Sequence, residues 1–171
     1  EERRRSPMRL YAGTIRNCVI RDNVQLNHGT LEQFGGLVTD CSFTGNKSKS
    51  DSVDHSTGRG GALFQYDGVV SNCVFTSNYA RNHGGAAVVY GGLMTHCTVT
   101  DNTIDRSGGS GVSLAGGTLA HSFVARNAVS GNGGAGKGAV AIMNGELLDT
   151  VVCSNTAPLT AGGGVFVAAL A

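Results

Sequence analysis

At 171 residues and 17.5 kDa the chain is long enough to bury a continuous core, as one ordinary domain or one stretch of a repeat array. Glycine supplies 27 residues, about twice its usual ~7% share, yet proline only 2, and 40% of residues are hydrophobic, which argues against both collagen and a disordered linker. With 15% charged residues and a net charge of +1 the sequence carries no electrostatic footprint for nucleic acid or an anionic membrane, and no apolar run approaches the ~20 residues of a bilayer span.

In chain order, Glu1-Glu2-Arg3-Arg4-Arg5 forms a charged lead-in (1–5), and a repeat domain is expected over 6–171 as part of a longer protein. An eleven-residue motif then recurs: GTIRNCVIRDN from Gly13, GLVTDCSFTGN from Gly36, GVVSNCVFTSN from Gly68, GLMTHCTVTDN from Gly92, GTLAHSFVARN from Gly117 and GELLDTVVCSN from Gly145. The six copies are spaced 23, 32, 24, 25 and 28 residues apart. Position one is always Gly, positions three and eight are apolar, and position eleven is Asn23, Asn46, Asn78, Asn102, Asn127 and Asn155. A glycine pair (Gly60-Gly61, Gly84-Gly85, Gly108-Gly109, Gly133-Gly134, Gly162-Gly163) separates each later Asn from a short apolar block such as GALFQYDG or GAAVVYGG.

Helices are excluded, because the units are short, β-branched and cut by glycine, each interior Gly opposing a helix by ~1 kcal/mol. Positions six and eight share one face of a strand while position three is out of phase with them, so a bend must lie between. Each unit therefore reads as three short strands, in the first case Met8–Tyr11, Thr14–Arg16 and Cys18–Ile20. Three strands per ~25 residues, with one turn absorbing the insertions, describe a coil that climbs one strand spacing of ~4.8 Å per turn. This is an all-β parallel β-helix, a single-stranded solenoid of about six coils.

In such a stack each motif position recurs above itself. The asparagines then form an axial amide ladder. Cys18, Cys41, Cys73 and Cys97 all fall at position six, inward, with Ser122 and Thr150 replacing them later. A buried column of free thiols is preferred over disulfides, whose dihedral parallel Cβ vectors disfavour. Tyr11, Phe34, Tyr66 and Tyr90 recur two residues before the motif glycine. They suit packing at a corner, with a stacking platform for sugar rings as the second reading. Two metal readings are weaker: His96 with His121 on neighbouring rungs lacks a third ligand, and Asp51, Asp54 and His55 sit in a Lys- and Ser-rich insertion that reads as solvated loop. At position five Asp40 and Asp149 lie four rungs apart, roughly 19 Å at one strand spacing per rung, too far to share a metal. No cofactor is implied.

GGAL at Gly60–Leu63, GGAA at Gly84–Ala87, and FxxN at Phe43–Asn46 and Phe75–Asn78 resemble right-handed parallel β-helix proteins of the pectin-lyase-like superfamily. They are particularly similar to the passenger repeats of chlamydial polymorphic outer-membrane proteins, which pair GGA and an aliphatic residue with FxxN. The resemblance implies a right-handed coil and a secreted or cell-surface, outer-membrane-associated location. It further implies a non-catalytic scaffold serving adhesion or surface structure, with a host-surface or cell-surface glycan or protein as partner. Two other readings stand beside it: a fragment or binding module of a polysaccharide lyase or hydrolase, and a subunit that self-associates end to end into filaments.

Overall fold

In the computed structural model, which describes residues 8–50, 57–131, 138–157 and 162–168, the bend inside each motif has a definite source. Position five (Asn17, Asp40, Asn72, His96, His121, Asp149) stands at φ between 42° and 55° in every copy, and position ten (Asp22, Gly45, Ser77, Asp101, Arg126, Ser154) at φ between 54° and 67°. Left-handed backbone is unfavourable for L-residues by roughly 1–2 kcal/mol, least for Gly, Asn and Asp, and Asn, Asp and His are the side chains enriched there. Position five holds nothing but these three residue types. Its two histidines are therefore accounted for by a corner that must turn sharply.

The corners cut the chain into strands of two or three residues. Among the described residues, 24 strands form four sheets of seven, six, six and five strands, every strand pair is parallel, and no helix occurs. Sheet A comprises Met8–Leu10, Leu31–Gln33, Leu63–Gln65, Ala87–Val89, Val112–Leu114, Val140–Ile142 and Val165–Val167. Sheet B holds motif positions two to four, beginning with Thr14–Arg16, and sheet C positions seven to nine, beginning with Val19–Arg21. These are the three strands per coil expected from the pattern. Sheet D is an addition: Val24–Leu26, Lys47–Lys49, Tyr79–Ala80, Thr103–Ile104 and Ala128–Val129 follow the motif asparagine and pair coil to coil.

Registry is strict. Ile15, Val38, Val70, Met94, Leu119 and Leu147 pair in one column, and Ile20, Phe43, Phe75, Val99, Val124 and Val152 in another. The Phe43 and Phe75 rings stack with centroids 4.7 Å apart and planes within 4°. Leu31, Leu63, Ala87, Val112 and Val140 close the core from sheet A. Vertical stacking of like side chains fills the cross-section at every storey, so the apolar contact that a lone coil lacks is supplied by its neighbours.

Polar columns run through the same interior. From Asn46 onward, each asparagine side-chain oxygen accepts two bonds from the coil below: Asn46 Nδ2 and N donate to Asn78 Oδ1 at 3.1 and 3.0 Å, Asn78 to Asn102 at 3.0 and 2.9 Å, and Asn102 to Asn127 at 2.9 and 3.0 Å. From Asn46 onward each Nδ2 also donates to a position-eight carbonyl of the coil below, as Asn78 does to Phe43 O and Asn102 to Phe75 O. Asn23 and Asn155 join the column at its two ends. Gln33 and Gln65, fully buried, form a shorter ladder on sheet A by donating to Gly36 and Gly68 carbonyls.

Candidate functional site

Position six is chemically more specific than a small apolar filler. Cys41, Cys73 and Cys97 each direct the thiol at the carbonyl two residues earlier (Thr39, Ser71, Thr95) at 3.1–3.2 Å. Ser122 makes the same bond to Ala120 at 2.7 Å and Thr150 to Leu148 at 2.8 Å. The side-chain acceptor also takes a backbone N–H from the coil below, Cys18 N to Cys41 Sγ and Cys97 N to Ser122 Oγ. Cys, Ser and Thr interchange here because each is a short side chain able to donate and accept.

All five cysteines are free: Cys41, Cys73 and Cys97 are buried, Cys18 and Cys153 exposed. Burial pushes the Cys73 thiol up to about 11 and Cys97 up to about 12, and raises Cys41 as well. Since the thiolate is the nucleophile, these three are inert at neutral pH. A thiol-exchange reagent at pH 8 will accordingly label two of the five cysteines promptly and the other three only on unfolding; prompt reaction of all five rules out this packing. The linked stability is fully present below the unfolded-chain value near 9 and is lost as pH climbs through the folded values of about 11 and 12.

The aromatic residues form one rail along the edge of sheet A. Ring centroids are 4.8 Å apart for Tyr11–Phe34, 4.7 Å for Phe34–Tyr66 and 5.9 Å for Tyr66–Tyr90, with planes 10°, 11° and 25° apart. The faces of Phe34 and Tyr66 are thus covered by neighbouring rings, while ring edges and phenol hydroxyls meet solvent. Burial raises the Tyr66 hydroxyl, with the Glu32 charge adding to it.

Behind this rail the outer face of sheet A is covered by the turns arriving from sheet D. Glu32 and Phe64 point outward yet are each 2% exposed. His28 stacks on Phe64 at 4.5 Å, and its Nδ1 lies 2.6 Å from Glu32 Oε1, whose other oxygen lies 2.9 Å from Arg9 Nη2. A narrow cleft of about 180 Å³ follows further along, between Arg59, His83, Val88, Tyr90, Ala115 and Met143. Tyr90, Ala115 and Met143 stand two residues before a motif glycine and continue the column of the rail, whereas Arg59 and His83 come from turns of unequal length that the motif spacing does not place.

His96 and His121 stack at 5.2 Å, and His121 Nδ1 lies 3.7 Å from Asp149 Oδ2. His96 Nδ1 is engaged 2.9 Å from Thr95 Oγ1. No group of three or more His, Cys, Asp or Glu side chains among the described residues is placed to hold a metal ion. Asp51, Asp54 and His55 lie outside the described residues.

Sheet D carries a charged surface. Lys47 and Lys49 project from one strand, with Tyr79 and Arg81 on the coil above and Thr103 above those. Together with Ser50 and Ser77 they line an open cleft of about 600 Å³. Asp105 organises its far side: Tyr79 donates its hydroxyl to Asp105 Oδ2 at 2.7 Å, Ser130 donates to Oδ1 at 3.0 Å, and Arg81 pairs with the same carboxylate. Burial pushes the Asp105 carboxyl up, but these three donors outweigh it and hold it below the usual carboxylate range. Nearby, a bidentate bond from Arg126 lowers Asp101.

No helix of the described residues is long and apolar enough to cross a membrane. No curated protein and no solved structure matches the chain. Residues 40–65 match the Chlamydia polymorphic membrane protein repeat, a segment that runs from the Asp40 corner through Phe43–Asn46 to the strand after Gly60-Gly61. With that match and its stacked parallel coils, the chain is a β-helix repeat protein resembling the chlamydial polymorphic membrane protein repeats.

Proposed function

We propose that the chain is a non-catalytic, surface-displayed scaffold whose outer face makes adhesive contacts. The observation that carries this reading is the strict coil-to-coil registry, which holds outward side chains in fixed columns along a rigid body. The repeat match supports an outer-membrane or autotransporter-type setting. The carboxylates of Asp101 and Asp105 are committed elsewhere. Asp101 and Asp105 are held ionised by arginine and hydroxyl donors, whereas a general acid at neutral pH needs its pKa raised.

Beads coated with the chain, offered to cultured epithelial cells, test the proposal directly. Saturable attachment, with no reducing ends or unsaturated uronates released from polygalacturonate, is the expected outcome. Product release would establish the polysaccharide-acting reading instead, and concentration-dependent rods in electron micrographs the filament reading.

A further inference from the structure

We infer that the cleft on sheet D binds a short segment of acidic saccharide, one bearing carboxylate or sulfate groups. The inference names a ligand class for the contact surface proposed above and rests on that reading.

Charge gives the first argument. Arg9, Arg81 and Arg126 are each matched to a carboxylate, Glu32, Asp105 and Asp101 respectively. Lys47 and Lys49 are both exposed, and neither is in an ion pair among the described residues. They sit two residues apart on the same strand face, and Lys47 is in register with Tyr79. Among the described residues the cleft thus holds two ammonium groups without an ion-pair partner, beside an arginine whose own charge is matched by Asp105. A cationic recess of this kind attracts anionic substituents, for which lysine acts as a compact point charge with three donors.

The lining supplies the second argument. Tyr79 is half-buried, and its hydroxyl is tied to Asp105 on the next coil, so the ring is held across the boundary between two coils. Burial and that carboxylate raise its pKa and keep the phenol protonated, as the hydrogen bond requires. A tethered ring one coil above Lys47, with Ser77 and Thr103 also lining the cleft, offers the three contacts a charged sugar uses: an apolar ring, hydroxyl partners and countercharge. Asp105 acts as a positioning residue, since it holds Tyr79 and Arg81 without facing the ligand's charge unopposed.

Extent gives the third. The cleft spans three coils, about 10 Å at two strand spacings, and Lys47 and Lys49 lie on one of them. Duplex nucleic acid is held by proteins that typically neutralise roughly 6–10 phosphates, and an anionic membrane needs a broad basic face. The cleft matches one or two acidic sugar units far better than either.

The test is titration calorimetry on the intact chain at about 50 mM salt, where ion pairing is weakly screened. The probes are a heparin hexasaccharide, a polygalacturonate hexamer, neutral maltohexaose, sodium sulfate, a single-stranded DNA 20-mer and phosphatidylserine vesicles. At least one acidic oligosaccharide should bind ten-fold or more tightly than maltohexaose and sulfate, and more tightly than DNA or vesicles. The K47E/K49E variant should lose that binding at least ten-fold with an unchanged melting profile. Arg16→Glu, an exposed charge reversal on sheet B, should change it less than two-fold. Asp105→Asn should weaken binding despite removing a negative charge, because Tyr79 and Arg81 lose their anchor. Equal binding by wild type and K47E/K49E overturns the inference, as does sulfate binding as well as the oligosaccharide, or a preference for DNA or vesicles. Cell attachment that survives K47E/K49E removes the cleft and leaves the scaffold reading standing; saccharide binding without cell attachment does the reverse.

Discussion

Replacing Asn102 by Asp, a change of one atom, is expected to destabilise the chain as much as replacing it by Ala, by about 3–5 kcal/mol. In the alanine variant, Asn78 loses the acceptor for both its backbone N–H and its Nδ2, and the carbonyls of Phe75 and Thr100 each lose a donor. These groups are buried, and each one left unpaired contributes a penalty of about 1–3 kcal/mol. The aspartate keeps the acceptor. It sets an oxygen where Nδ2 stood, against three acceptors at 2.9–3.0 Å: Phe75 O, Thr100 O and Asn127 Oδ1. Urea denaturation midpoints decide the matter, with Asn23→Ala as reference, because Asn23 is half-exposed and its loss should amount to less than about 1 kcal/mol. An Asn102→Asp midpoint no lower than that of Asn23→Ala would show that the column is dispensable.

Gly85→Ala should lower stability by on the order of 3 kcal/mol or more, or roughly 10 °C in melting temperature. The second glycine of the pair is needed for a reason unconnected with turn formation. A Cβ there would overlap the Ser110 carbonyl oxygen of the next coil and come within 2.9 Å of Thr103 O. Both obstacles are backbone, which has no rotamer to yield, so the coils would have to separate. Gly164→Ala, with nothing within 4 Å of the new methyl and no positive φ, should be close to neutral. Differential scanning calorimetry of the pair gives the comparison, and equal melting temperatures would refute the close approach of coils.

Features that depend on a fixed offset from the motif glycine were legible before any coordinates. The inward columns at positions three, six and eight, the asparagine column and the bend between positions three and six all follow from counting. Sheet D was not legible, because its strands are two or three residues of mixed type, Lys47-Ser48-Lys49 in one coil and Thr103-Ile104 in another, with no shared apolar signature. The basic cleft was missed for the same reason: Lys47 and Arg81 are 34 residues apart and meet only because that sheet exists. Glu32 and Phe64 show a different failure. Strand alternation turns them outward, and it carries no information about the turn that folds over them.

No interior bond described above reaches past the coil directly above or below its own. Such a body has no keystone whose removal releases the whole at once, and its opening should resemble fraying, storey after storey. Amide hydrogen exchange would then grade smoothly along the axis, with the longest protection near the mid-height amides of Asn78 and Asn102 and the shortest toward either extremity.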